Sequence, residues 1–366
     1  MAFRASDADR RTVGVEEEFL LVDPESGRAR ALGAAVLMAG ADDEDLSGEL
    51  QAEQLETGTR PCRDLEALGV ELRRTRSTAR AAARAVGVEP VALATSPVPV
   101  APTTSPGKRY RRMVERFGLT GAEQLTCGCH VHVAVDSDEE GVAVLDRIRP
   151  WLAPLLAVSA NSPFWNGADS GYCSYRSQVW GRWPSAGPTG VFGSAAGYHS
   201  VTRAMLDTRT VLDDGMIYFD ARLSRQHPTV EVRIADVCRE PDDAVLVAGL
   251  VRALVDTAAG EWQRGVAPDP VPVEVLRLAA WRAGRSGIES TLVDPRSWTP
   301  APAAEVLHAL VDHVDEALRA NGDRDAVTEL LDAVLARGTG AARQLAVFGR
   351  DGDLHAVVRD AIAQDD

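Results

Sequence analysis

The segment that decides the fold reads Thr12-Val-Gly-Val-Glu-Glu-Glu-Phe-Leu-Leu-Val22. Apolar, strand-forming residues flank three consecutive glutamates, and a turn signal, Asp23-Pro-Glu-Ser-Gly27, follows, so the segment is predicted to be a strand. Side chains alternate faces along a strand, which places Glu16 and Glu18 on one face and Glu17 on the other. Two carboxylates on one face of an apolar strand repel each other and are costly to bury. A bound cation removes both penalties, so this segment favours a metal site.

Composition indicates a soluble globular protein and excludes some partners. The chain has 366 residues, of which 45% are hydrophobic and 25% charged, and this length allows one large domain or two ordinary ones. A net charge of -15 argues against a nucleic-acid surface, although a local metal and a few arginines can still bind ATP. Five scattered cysteines suit reduced thiols in the cytoplasm. Met1–Arg11 lacks an apolar signal segment, and no run approaches a membrane span.

The predicted secondary structure changes near Pro241, from short strands with interspersed helices to an almost wholly helical pattern. We expect a flexible N-terminus (1–11) and a single catalytic domain (12–366). Its first part (12–240) is predicted to be sheet-rich and its second part (241–366) mostly helical. The predicted strands are Thr12–Val22, Gly48–Glu56, Val88–Thr95, Leu125–Val135, Met216–Phe219 and Thr229–Ile234. The predicted helices are Asp64–Val86, Asp138–Ala160 with a kink at its prolines, Asp242–Gly260, Pro272–Ala283, Ala303–Ala320, Asp325–Arg337, Gly340–Val347 and Leu354–Ala363. Without regular crossover helices, the pattern predicts an α+β fold, with a largely antiparallel sheet and helices packed on one face.

Three further segments carry polar residues that suit chemistry. Glu49 and Glu56 are seven residues apart, so a regular strand would separate them, and a bulge or a transition from strand to loop is needed to bring them together. His130 and His132 alternate with valines and point to one face of their strand. The adjoining Cys127-Gly-Cys129 could form a redox or soft-metal site, but buried strand thiols are favoured.

The last strand and the long loop before it supply arginines. Glu231 and Arg233 share a face of the strand that begins near Thr229, and alone they indicate an internal ion pair. Together with the acids on the other strands, Glu231 and Arg233 form the third side of a polar site. The ligands of this site are mostly oxygen atoms, which suit Mg²⁺ or Mn²⁺ better than Zn²⁺. Arg176 and Arg182 lie among aromatic and hydroxyl residues in Asn161–Gly197, a mix that suits small anionic groups.

Taken in order, these segments resemble the glutamate–cysteine ligase type 2 family, the YbdK-like carboxylate–amine ligases. The matching motifs run from Val13-Gly-Val-Glu-Glu-Glu-Phe19 through Glu49 to Glu56, Cys127-Gly-Cys-His-Val-His-Val133, Ser174-Tyr-Arg-Ser177, Trp183-Pro184, Pro228-Thr-Val-Glu-Val-Arg233 and Trp281-Arg-Ala-Gly-Arg-Ser-Gly287 to Gly338-Thr-Gly-Ala-Ala-Arg-Gln344. The resemblance implies a glutamine-synthetase-like catalytic fold, an antiparallel sheet forming a funnel, and ATP- and Mg²⁺-dependent ligation of a carboxylate to an amine. A homodimer is compatible with this resemblance, but the sequence does not determine the oligomeric state.

The resemblance also implies residue roles. It implies metal binding by Glu16, Glu18, Glu49, Glu56, His130 and Glu231. It places Arg233 at the transferred phosphoryl group and Arg176 at the amino-acid substrate. We further expect Glu231 to be catalytic and Arg182 and His132 to bind substrate. His132 departs from the residue found in glutathione-synthesising relatives, which puts the second substrate in doubt more than the ATP chemistry.

Three alternatives remain open at this point. The chain could ligate another carboxylate and amine, with glutamate–cysteine ligation as a side activity. A metal-dependent hydrolase of a small amide or ester could use His130, His132 and the carboxylates without ATP. A metabolite-binding protein without catalysis is disfavoured, because a dead site has no reason to keep buried like charges.

Overall fold

A computed structural model describes residues 10–41, 43 and 45–364. The segment expected to be flexible lies outside these residues from Met1 to Asp9. The strands are β1 (Val13–Val22), β2 (Leu46–Ser47), β3 (Gln54–Gly58), β4 (Glu89–Val91), β5 (Gly128–Ala134), β6 (Phe164–Trp165), β7 (Ala168–Asp169), β8 (Ala221–Leu223), β9 (Thr229–Asp236), β10 (Thr291–Asp294) and β11 (Thr299–Pro302). The helices are α1 (Gly33–Ala39), α2 (Leu65–Arg84), α3 (Lys108–Phe117), α4 (Leu119–Ala122), α5 (Asp138–Ile148), α6 (Leu152–Val158), α7 (Arg176–Trp180), α8 (Ala195–Asp207), α9 (Pro241–Gln263), α10 (Val273–Ser286), α11 (Ala303–His313), α12 (Asp315–Asn321), α13 (Arg324–Arg337), α14 (Gly340–Asp351) and α15 (Leu354–Gln364).

Among the residues that the structure describes, one sheet of seven strands organises the first two thirds of the chain. Its order is β2-β3-β1-β5-β9-β8, β4 pairs with β1, and every pairing between these strands is antiparallel. Alternate residues of the central strands, such as Val15, Val131 and Val232, are buried in the main apolar core. The helices α2, α5, α6 and α9 contact these strands, and α9 supplies much of the apolar surface. The predicted antiparallel sheet is therefore confirmed.

The middle glutamate of the deciding segment belongs to the helix-covered face. Glu17 is fully buried, and Arg76 of α2 forks onto it, with Nε donating at 2.9 Å and Nη2 at 2.6 Å. Arg76 also donates to the backbone carbonyls of Cys238 and Arg239. A buried charge is tolerated when it is paired and hydrogen-bonded. The Glu17–Arg76 ion pair thus holds α2 against the sheet. As predicted, the side chain of Glu17 points to the opposite face from those of Glu16 and Glu18.

Several predicted boundaries are wrong for local reasons. The strand predicted from Gly48 begins only at Gln54, because Leu50 and Ala52 pair with the segment 103–105 and turn the chain away. The strand predicted at Met216–Phe219 is absent; a short 3₁₀ turn ends at Met216, and the strand follows at β8. The C-terminal part also contains the β10–β11 hairpin, which the helical pattern did not predict.

Other predicted features are confirmed. The helix predicted over Asp138–Ala160 divides into α5 and α6 at a 3₁₀ turn that contains Pro150. The five cysteines are buried and free. Within the described ranges, no helix has both the length and the apolar character needed to cross a membrane. The division into one catalytic domain stays a prediction.

Candidate active site

Strand register brings the predicted acids and histidines into one row. Glu18 lies opposite Glu56 across β1 and β3, and Glu16 lies opposite His130 across β1 and β5. His132 lies opposite Glu231 across β5 and β9. Because facing residues of antiparallel strands have neighbouring side chains, the four strands present one continuous polar face. We refer to this row, with Glu49 and Arg233, as the acidic face.

Glu49 joins this face by the transition from strand to loop that its spacing required. It lies outside β3, in the loop after β2, and its carboxylate accepts from the backbone N–H of Leu50 at 3.2 Å. Glu56 lies within β3 and accepts from the hydroxyl of Ser47 at 2.7 Å. Glu18 accepts from the backbone N–H of Gly128 at 2.6 Å. The three carboxylates therefore converge from two strands and a loop.

A bulge in β9 positions Arg233. Between the pairs Cys129–Ala235 and Val131–Val232, the register changes, so two residues of β9 face the single residue His130. Bulges of this kind redirect a side chain next to a site. The Arg233 guanidinium reaches His130, with 3.5 Å between Nη1 and Nδ1, and also donates to Glu231.

The acidic face lines a cavity of about 300 Å³. The other walls of the cavity come from α3, the loop before β5, α7, the segment after α7 and the segment around β8. The sequence indicated a role for the α7 segment, which lies in Asn161–Gly197, but not for α3 or the loop before β5. These lining residues include Arg109, Tyr110, Met113, Gln124, Trp180, Trp183, Tyr218, Arg222, Arg225, Gln226 and His227. A cavity that combines carboxylates, histidines and arginines with a few aromatic rings suits a polar ligand bound with metal ions.

Three overlapping groups on this face have the spacing to hold metal ions. They are Glu16–Glu56–His130, Glu16–His132–Glu231 and Glu18–Glu49–Glu56, and in each group one ligand atom per residue lies within 4.8 Å of the others. The Nε2 atoms of His130 and His132 are buried, and neither has a hydrogen-bond partner among the described residues. Buried polar atoms are nearly always satisfied, so unpaired imidazole nitrogens facing carboxylates fit metal ligation.

Burial and neighbouring charges shift the pKa values of the carboxyl groups on the acidic face. Burial and the nearby Glu18 raise the pKa of Glu49 to about 7. Burial and the charges of Glu49, Glu16 and Glu18 raise the pKa of Glu56 well above its ordinary value. Burial also opposes ionisation of Glu16, but contacts with His130 and His132 lower its pKa well below the ordinary value. Bound cations would offset both the cost of burial and the repulsion that raise the pKa values of Glu49 and Glu56.

Glu231 lies between two arginines. Arg222 donates from Nε at 2.7 Å and from Nη2 at 3.2 Å, and Arg233 binds the same carboxylate from the other side. Although burial raises the pKa of Glu231, the two guanidinium charges outweigh it and hold that pKa well below its ordinary value. Trp180 covers Arg233, with the guanidinium carbon 5.6 Å from the ring centroid. The sequence did not predict a role for Arg222, because its strand, β8, has only three residues and gives no periodic signal.

Two predicted substrate residues lie away from the cavity. Arg176 is buried and donates to the backbone carbonyls of Ile234 and Arg233, each at 3.3 Å, and it lines a neighbouring cavity of about 330 Å³. Arg182 is exposed and pairs with Glu123 at 2.8 Å. The structure therefore does not bring either arginine to the acidic face, and their role in substrate binding stays a prediction.

Comparison with known proteins identifies the family. The model of glutamate–cysteine ligase family 2 matches residues 12–360. The chain belongs to this family. A provisionally named glutamate–cysteine ligase 2-1 from Streptomyces avermitilis is 51% identical over 358 residues, which are 97% of this chain and 99% of the relative. A provisionally named glutamate–cysteine ligase 2 from Streptomyces coelicolor is 54% identical over 352 residues, covering 95% and 97%. The family 2 chain is thus an enzyme of the ligase class.

Solved structures of low sequence identity confirm the fold. The glutamate–cysteine ligase of Francisella tularensis, in complex with AMP, has a TM-score of 0.67 at 13% identity and covers 100% of this chain and 89% of its own. A bifunctional glutathione synthetase from Pasteurella multocida also has a TM-score of 0.67, at 15% identity, covering 97% of this chain and 53% of its own. The predicted α+β, glutamine-synthetase-like catalytic fold is confirmed for this family 2 enzyme.

Proposed function

We propose that this family 2 enzyme is an ATP-dependent carboxylate–amine ligase with a weak glutamate–cysteine ligase activity. The observation that carries the proposal is the convergence of five carboxylates and two histidines around one cavity beside Arg233. Family membership supports amide-forming chemistry, and the oxygen-rich ligand set suits Mg²⁺ or Mn²⁺. None of the relatives and solved structures named above is a hydrolase, so nothing favours that alternative.

The residues present fit the proposed cations. Glu16, Glu18, Glu49, Glu56, His130 and Glu231 would hold them, because their like charges crowd together and the Nε2 of His130 is otherwise unpaired. The cations would neutralise phosphate oxygens and hold the polyphosphate in place. This role explains why the chain places so many acids in a site for an anionic nucleotide.

The chemistry then follows from the weakness of a carboxylate as an acyl donor. The substrate carboxylate attacks the γ-phosphorus of ATP, ADP leaves, and an acyl phosphate forms. The amine attacks the activated carbonyl, expels phosphate and gives the amide. Arg233 would stabilise negative charge on the transferring phosphoryl group, because its guanidinium is fixed by Glu231 and Trp180.

Water must be kept from the acyl phosphate, which it would hydrolyse. The segment Asn161–Gly197 is our proposed cover. Trp180 and Trp183 of this segment line the cavity, and Trp183 is almost fully buried. Both rings pack on Tyr218, with centroids 4.8 and 5.4 Å away. An apolar wall at this place would exclude solvent from the reacting carbonyl.

The test is release of ADP from ATP and Mg²⁺, with glutamate alone and then with cysteine and a panel of other amines. We expect turnover only when a carboxylate and an amine are both present, with the amide identified by mass spectrometry. Arg233→Lys, which keeps the charge but loses the planar fork, should reduce kcat. Hydrolysis of small amides or esters without ATP, and no ADP with any pair, would contradict the proposal.

A further inference from the structure

His132 has the surroundings of a metal ligand. Its ring is 12% exposed, and Nδ1 lies 3.0 Å from the hydroxyl of Thr229. The other nitrogen, Nε2, is directed at a carboxylate and lies 3.3 Å from Glu16 Oε1. A metal-binding histidine typically has its second nitrogen held by an outer partner, which fixes the tautomer and the ring orientation. Thr229 supplies that partner here.

Two carboxylates complete the surroundings of His132. Glu231 faces it across the strand pair β5–β9, and Glu16 is close to both residues. A ligand atom of each residue lies within 4.8 Å of the others. The arginines on Glu231 do not exhaust its acceptor capacity, because a carboxylate offers about four lone-pair sites. Glu16 also belongs to the group with His130, whose ring is 1% exposed and whose Nε2 is likewise unpaired.

We propose that Glu16, His132 and Glu231 together bind one cation, with Glu16 shared with the neighbouring position, and that the His132 imidazole makes this position prefer Mn²⁺ to Mg²⁺. His132 is then a metal ligand rather than the substrate contact expected from the sequence. The inference rests on the proposed function only in that the position adjoins the polyphosphate site.

The preference follows from ligand chemistry. Mg²⁺ favours oxygen ligands in near-ideal octahedral geometry and gives up its water reluctantly, whereas Mn²⁺, a transition ion, accepts an imidazole nitrogen beside carboxylate oxygens. The group Glu18–Glu49–Glu56 contains only oxygen ligands and provides an internal contrast. The chain therefore places an oxygen-only position and two imidazole-containing positions on the same face.

The test is Mn²⁺ binding to the metal-stripped full chain, with neither ATP nor substrates. Equilibrium titration followed by electron paramagnetic resonance gives the number and affinity of the ions, and pulsed measurements detect nitrogen bound to Mn²⁺. His132→Asn should weaken Mn²⁺ binding at one position at least 10-fold, and Mg²⁺ binding by less. Thr229→Val, which keeps the side-chain shape, should weaken the same position by about 10- to 100-fold.

Two further variants separate His132 from the other histidines. His130→Asn should retain a nitrogen signal from His132, and the double variant should lose it. His199→Asn is the matched control, because this exposed histidine pairs with Asp138 on the surface and lies outside the cavity. Equal Mn²⁺ affinity, stoichiometry and nitrogen coupling in His132→Asn and wild type would overturn the inference.

These outcomes are distinct from failure of the proposed function. A chain that binds Mn²⁺ through His132 but consumes no ATP would keep the metal site and lose the ligase. If the wild type ligates normally and His132→Asn changes only the KM for a substrate, the ligase proposal stands and His132 is a substrate contact rather than a metal ligand.

Discussion

Replacing Glu49 by Gln should stabilise the metal-free protein while damaging the metal site. Glu49 shares a ligand group with Glu18 and Glu56, so its negative charge is opposed by burial and by its neighbours. Glutamine has nearly the same shape and can still accept the hydrogen bond from the Leu50 backbone. The substitution therefore removes the charge and leaves the packing unchanged.

The magnitude follows from the pKa of Glu49, which is raised to about 7 from its ordinary 4.5. A difference of about 2.5 pH units corresponds to about 3 kcal/mol, and solvent at the partly exposed side chain reduces this to about 2 kcal/mol. Because the folded-state pKa is raised, the folded chain binds more protons than the unfolded one between about pH 4.5 and 7. The stability of the wild type therefore falls as pH rises through that window, and the variant lacks this loss.

The assay is thermal unfolding with EDTA and with Mg²⁺, at pH 5 and pH 8. With an unfolding entropy of about 0.8 kcal/mol/K for a chain of this length, about 2 kcal/mol raises Tm by about 3 °C at pH 8. At pH 5, near the lower end of the titration window, the difference in Tm should shrink to less than about 1 °C. Saturating Mg²⁺ should stabilise the wild type more, because only a folded site with all its ligands gains the full binding energy.

Glu329→Gln is the control, because it makes the same charge change on an exposed surface of α13. It should give no pH-dependent difference. A metal-free Glu49→Gln protein that is less stable than wild type by equal amounts at pH 5 and pH 8 would refute the reasoning. Glu49 would then be a structural residue.

Three other substitutions separate chemistry from stability. Glu231→Gln should abolish turnover while the protein stays folded, as judged by circular dichroism, although Tm should fall because Arg222 and Arg233 lose the charge they face; activity that falls only in proportion to the folded fraction would mark the residue as structural. Glu17→Gln should instead lower the free energy of unfolding by about 3–5 kcal/mol, measured by urea titration, since it removes the negative charge that the buried Arg76 guanidinium faces; an unchanged unfolding midpoint would contradict this. Trp180→Leu should reduce kcat by about 30-fold with little change in Tm, because a desolvated cation–π contact on Arg233 is worth about 2 kcal/mol; unchanged steady-state kinetics would show that Arg233 does not need the ring.

The sequence predicted the residues of the acidic face better than the other residues that line the cavity. Strand alternation alone separates Glu17 from Glu16 and Glu18, and it pairs His130 with His132, because both effects depend on adjacent residues. The meeting of these strands depends on register, which no local pattern specifies. Glu231 could be joined to them only through its residue type and through the resemblance to a family.

The failures share a physical cause, which is dependence on distant chain segments. Glu49 leaves the strand because residues 50–52 pair with 103–105, and nothing in Gly48–Glu56 records that pairing. Arg222 comes beside Glu231 through β8, a strand too short for a periodic signal. The contact of Arg176 with backbone carbonyls of β9 likewise depends on packing that its own segment does not reveal, and its role in substrate binding stays a prediction.

The central claim is that this enzyme activates a carboxylate by phosphorylation, and oxygen transfer tests it most directly. Glutamate labelled with ¹⁸O in its carboxylates is supplied with ATP, Mg²⁺ and the best amine from the panel. An acyl phosphate requires that one labelled oxygen enter inorganic phosphate for each amide formed, and mass spectrometry of the phosphate should detect it. Label in AMP instead of phosphate, or amide formed with no label transferred, would contradict the account.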